Sequence, residues 1–90
     1  MIYITAVHMT PPNSNDHQHI ARVQWTEVGT NNSGDDTREQ MITWINSGVD
    51  ARDRDQYGDV SVLVVNANPP YLRTYRDGRA TDNLLSLPRY

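Results

Sequence analysis

The chain has no cysteine. Disulfides, zinc–thiolate clusters and a thiol nucleophile are therefore excluded. It has no lysine either: all eight basic residues are arginine. That fits a GC-rich coding bias, or a preference for planar, bidentate, stacking cations. Positive charge is not in excess, since the formal net charge is −3. No global pull toward nucleic acid or anionic lipid is expected. The five glycines stand alone at positions 29, 34, 48, 58 and 78, so there is no glycine-rich phosphate loop. No serine or threonine lies in a nucleophile-elbow context. No apolar run approaches the roughly 18 residues that cross a bilayer. The opening Met1-Ile2-Tyr3-Ile4-Thr5 has no basic stretch leading into a long apolar one, so no secretory signal is read there. A membrane partner is not expected, and the cytoplasm is the expected location.

What remains is a chain of 90 residues, 37% hydrophobic and 21% charged. That is one compact domain over residues 1–90. Area scaling gives a folded surface of roughly 5,400 Å² against roughly 15,000 Å² unfolded, so a small core forms. Charge is uneven along the chain. Residues 1–70 carry four Arg and nine acids, and residues 71–90 carry four Arg and two Asp. A mildly basic last fifth sits on an acidic body.

Alternation places a strand over residues 2–9, with Ile2, Ile4, Ala6 and His8 on one face and Tyr3, Thr5, Val7 and Met9 on the other. Apolar residues on both faces near its start suggest an inner strand. A Pro-rich loop, 10–18, leads to a half-buried strand over 19–27 with Ala21, Val23 and Trp25 inward. These two strands should pair antiparallel. Residues 28–36 read as loop. The one clear helix spans 37–47, with Asp36 at the N-cap, Glu39 three residues on, and a stripe of Met41, Ile42, Trp44 and Ile45. Trp44 and Ile45 are core packing first. Gly48 ends the helix in a left-handed conformation.

Residues 49–55 read as a strand with Arg52 and Arg54 on one face and Asp53 and Asp55 on the other. The β-branched run Val60–Val65 reads as a central strand buried on both faces. Residues 71–76 form the last full strand, Asp77-Gly78 a tight hairpin turn, and 79–82 a short return. Asp82 caps a final helical turn of leucines. The expected architecture is α+β: a mainly antiparallel sheet of about five strands, in the order β-β-α-β-β-β, with one helix on one face.

The residues Ile4-Thr5-Ala6-Val7, His19–Trp25, Thr37–Met41, Pro70-Tyr71-Leu72-Arg73-Thr74, Asp77-Gly78 and Thr81–Pro88 together resemble the DUF3892 family of small bacterial and archaeal proteins. The resemblance runs over nearly the whole chain, and its C-terminal part is the most specific. It implies a single compact domain and transfers no catalytic residue, because that family carries no assigned activity.

Three constellations could carry chemistry. His8, His17 and His19 could gather round a metal, with Asp16 adding an oxygen; the plain alternative is solvated loop histidines, and no cofactor is expected. Asp35-Asp36 and the Asp53/Asp55/Asp59 group could supply paired carboxylates, but a helix cap and solvated turn residues account for them more simply. Tyr71, Arg73 and Tyr75 would share one strand face, with Arg76 and Arg79 extending a positive stripe. Such a face could stack bases and hold phosphate, or half-bury its tyrosines beneath Arg73 as a packing ladder. The same Tyr/Arg composition suits protein interfaces, and the first strand, Ile2 to Val7, could be an edge open to another chain. The expected function is a non-catalytic protein-interaction module, binding a protein partner or a second copy. Weak nucleic-acid binding and a histidine-based metal activity are the alternatives.

Overall fold

A computed structural model describes all 90 residues. β1 (Ile2–Met9) runs into a helical turn at His17–His19, then β2 (Ile20–Glu27) and β3 (Ser33–Thr37). The helix α1 (Arg38–Asn46) follows, then β4 (Ala51–Asp55), β5 (Gly58–Val65), β6 (Tyr71–Arg76), β7 (Arg79–Thr81) and a second helical turn at Asn83–Ser86. The strands form one seven-stranded sheet in the order β3-β2-β1-β4-β5-β6-β7. Every pairing is antiparallel except β1 with β4, which is parallel through Ile2↔Ala51 and Tyr3↔Arg52. The α+β class, the single helix and the mainly antiparallel sheet match expectation. The strand count does not: seven, with one parallel pair. No helix is long and apolar enough to cross a membrane.

The helix and the last helical turn pack on one side of the sheet. Its core unites Ile2, Ile4, Val23, Ala51, Val62 and Leu72 from the strands with Met41 from the helix and Leu84 from the last turn. The opposite side carries no helix. The accessible surface, 5321 Å², is close to the scaling value for this mass.

Several local expectations are corrected. Residues 33–37 form an edge strand rather than loop, because β2 supplies a full ladder of partners from Arg22↔Thr37 to Thr26↔Ser33. Gly34 is needed there: a Cβ would come within 2.7 Å of the Trp25 ring. The helix N-cap is Thr37, whose Oγ1 accepts from Gln40 N at 3.1 Å. Asp36 instead accepts the Trp25 indole N–H at 2.8 Å. Asp82 does not cap the last helical turn; its carboxylate is drawn away to Arg73. β1 is not an open edge, since β2 and β4 flank it. Along β1 the pairing slips between Ile4 and Ala6, leaving Thr5 as an extra residue. Such a bulge reverses the alternation beyond it. Val7 and Met9 thus join the core with Ile2 and Ile4, and His8 turns to the other face. β5 is buried on one face only: Val60 and Val62 are inside, while Leu63 is 44% exposed. The Asp77-Gly78 turn does form, with φ of +52° and +76°, and Gly48 ends the helix at φ +107°.

Candidate functional site

The helix-free face has two unlike halves. On the β5–β6 half, the register sets Val65 opposite Tyr71, Leu63 opposite Arg73 and Ser61 opposite Tyr75, with Ala80 of β7 beside Tyr75. Leu72 and Thr74, the intervening residues of β6, are fully buried on the core side. Period-2 geometry therefore forces Tyr71, Arg73 and Tyr75 outward together. The result is a strip of Val65, Tyr71, Leu63 and Tyr75 around one arginine. Arg73 does not lie over either tyrosine: its Nη2 reaches Asp82 Oδ1 at 3.1 Å and its Nε reaches Thr81 O at 3.4 Å.

The expected arginine stripe is divided. Arg76 points to the core side, where it donates to Asp55 at 2.8 Å and lies 5.8 Å from the Tyr57 ring. Arg79 is exposed at the β7 edge and has no acidic partner. Of the set Tyr71, Arg73, Tyr75, Arg76 and Arg79, the structure brings the first three together on one face and parts Arg76 from them. Arg73 and Arg76 are each neutralised by an aspartate. Leu63 and Val65 complete the strip, and sequence reading treated them as buried. The alternation Val60, Ser61, Val62 carried the signal: a polar residue between two valines marks an open face.

The β3–β2–β1–β4 half is a closed polar lattice. Tyr3 donates to Asp59 at 2.9 Å, Arg52 and Arg54 each reach Asp59 at 3.2 Å, and Arg54 lies over the Tyr3 ring at 4.5 Å. The Tyr3 hydroxyl, ahead of the two guanidiniums, holds the Asp59 carboxyl below the usual range. Farther along, Arg22 and the Tyr90 hydroxyl both bind Asp35, which is lowered by Tyr90 first and Arg22 second. Burial, then Asp35, pushes the Tyr90 phenol up.

The histidines do not converge. His8 Nδ1 bonds the Tyr90 carbonyl, and His19 Nδ1 bonds Ser14 Oγ at 2.7 Å. His17 is buried rather than solvated, with Nε2 unpartnered and 3.7 Å from Asp82 Oδ1. Burial and the Arg73 charge lower its pKa, outweighing Asp82 and Asp16. No three His, Asp or Glu side chains form a metal-holding group.

The aspartates of this group are paired or buried rather than free in solvent: Asp59 is exposed but held by Tyr3, Arg52 and Arg54. Asp55 is held low by Arg76 and Asn83. Asp53 is 3% exposed, accepts only the Arg54 backbone N–H and has no cation partner. Burial pushes it up to about 6.

Residues 3–88 match the family described as protein of unknown function DUF3892. The chain belongs to that family. The match covers the bulge in β1, the Trp25–Gly34 contact and the β5–β6 strip of this DUF3892 domain alike. No curated protein and no solved structure matches it.

Proposed function

We propose that this DUF3892 domain is a non-catalytic protein-interaction module that docks through the β5–β6 strip, and that the docked partner is a second copy of the chain. One observation carries the reading. Leu63 lies 44% exposed in mid-strand on a helix-free face, flanked across and along the sheet by Val65, Tyr71 and Tyr75. Neither the Tyr71 nor the Tyr75 hydroxyl has a partner within the chain, whereas the Tyr3 and Tyr90 hydroxyls both bind aspartates. Half-buried tyrosines and an exposed leucine beside one arginine are the composition that hot spots favour.

Charge supports self-docking. On this face Arg52 and Arg54 answer Asp59, Arg22 answers Asp35, and Arg73 answers Asp82. Two copies face to face therefore meet little like-charge repulsion. Three strands by about five residues give a patch of roughly 14 Å by 17 Å. That is well under the area of a standard stable interface, so the association is weak and exchanging.

Nucleic-acid binding is less well supported. Phosphate contacts need free cations, and of the candidate arginines Arg73 and Arg76 are already paired, leaving Arg79 alone. The test is translational diffusion by NMR across a concentration series. The wild type should slow with concentration beyond the viscosity correction, and Leu63→Asp should not. A wild type that diffuses as a monomer up to millimolar concentration overturns the reading.

A further inference from the structure

At the opposite end of the sheet, on the helix side, Trp25 and Trp44 line a depression of about 230 Å³ with Ile2, Glu27 and Val49. It is independent of the β5–β6 strip. We propose that this depression binds a quaternary alkylammonium group.

The walls argue for a cation with an apolar coat. The two indoles stand 5.8 Å apart at 85°, giving two aromatic walls near a right angle. Indole is the best of the aromatic rings for cation–π attraction. Ile2 and Val49 supply no polar group to replace lost water. A small hydrated ion would therefore lose more hydration than the site returns, whereas an alkylated ammonium already carries methyl groups around its charge.

Two features set the sign of the charge. Glu27 follows Trp25 by two residues on β2, so both project to the same side. Its Oε1 is steadied by Thr30 Oγ1 at 3.0 Å and Asn32 Nδ2 at 3.5 Å, and no cation of the chain pairs with it. Trp44 and Val49 bracket the C-terminus of α1, whose last turn contains no basic residue. Backbone N–H groups and the Ser47 hydroxyl cap the last carbonyls, and the negative end of the helix meets no basic side chain there.

Contacts within the chain also hold both walls in place. Trp25 is pinned by its N–H to Asp36 and by the absence of a Cβ at Gly34. Val49 N donates to Trp44 O at 3.0 Å, closing the chain tightly behind the second indole. Preorganised walls reduce the ordering cost of binding. The volume is below that of a pocket for a drug-sized ligand, so it fits a head group.

The chain has two tryptophans, and both line this depression, so intrinsic fluorescence reports on it directly. Choline chloride, titrated against sodium chloride at equal ionic strength, should give a saturable change. The neutral isostere 3,3-dimethylbutan-1-ol should bind about tenfold more weakly. Glu27→Gln should weaken choline severalfold with an unchanged circular dichroism spectrum, and Trp44→Leu should abolish the response. A parallel arm uses a peptide with one trimethyllysine beside its unmodified form. Saturation by choline supports a free-solute source, and saturation by the methylated peptide alone supports a side-chain source. An isostere that binds as well as choline, or no saturable change with any probe, overturns the proposal.

Discussion

The two halves of the helix-free face are made from the same side-chain types and end up in opposite states. On the β1–β4 half, tyrosine and arginine are consumed: Tyr3, Arg52 and Arg54 close on Asp59, and Arg22 with Tyr90 closes on Asp35. On the β5–β6 half, Tyr71, Tyr75 and Leu63 remain without partners, and only Arg73 is engaged. The difference lies in where the aspartates fall. Asp59 and Asp35 stand within reach on neighbouring strands, while β5 beyond Ser61 offers only Leu63 and Val65 on that side. A surface whose polar groups satisfy each other is finished as a surface. One that leaves aromatic and aliphatic groups in mid-strand is available to a partner.

The largest expected effect separates the helix-covered face from the strip. Leu72 is fully buried, so Leu72→Ala should cost about 2–5 kcal/mol in urea unfolding. Leu63→Ala, nine residues earlier on the open face, should change stability by less than about 0.5 kcal/mol. Equal losses would show that the strip is core and not surface.

Next comes the buried carboxylate. Asp53 is raised to about 6, so the folded state holds its proton more tightly than the unfolded chain. Stability from this group is present below about pH 4 and is lost as pH rises through about 6. Asp53→Asn should therefore stabilise at pH 7, by about 1–2 kcal/mol. The gain should vanish near pH 4. His17 runs the other way: its lowered pKa favours the neutral form, so acidification below the ordinary value of 6.5 should destabilise. His17→Gln should flatten that acid-side loss.

The smallest effect belongs to the polar lattice. Asp59→Asn should lower the thermal midpoint slightly, and added salt should shrink the difference, because exposed pairs are screened. A large, salt-insensitive loss would mean that the lattice is structural in a way its exposure does not suggest.

The sequence made the helix, β1, β2, β5 and β6 readable, because their apolar spacing and the Asp77-Gly78 turn are local signals. β3 was not readable: Ser33-Gly34-Asp35-Asp36-Thr37 has turn composition, and it is a strand only because β2 offers a ladder and Trp25 needs a neighbour without a Cβ. Two adjacent capping residues, Asp36 and Thr37, could not be ranked without knowing that the Trp25 indole claims the first. The parallel β1–β4 pair and the bulge at Thr5 are long-range facts with no local mark. Of the candidate site, Tyr71, Arg73 and Tyr75 were legible as one face. Leu63 was hidden inside an apolar run, and the parting of Arg76 depends on Asp55 lying on the core side of β4.

The most direct measurement is a series of amide spectra of isotope-labelled protein, from dilute to millimolar, for the wild type and Leu63→Asp. Concentration-dependent shifts confined to residues 61–65, 71–75 and 80, absent in Leu63→Asp, are the expected result. Spectra that do not change with concentration, or changes centred on Tyr3, Arg54 and Asp35 instead, would contradict it.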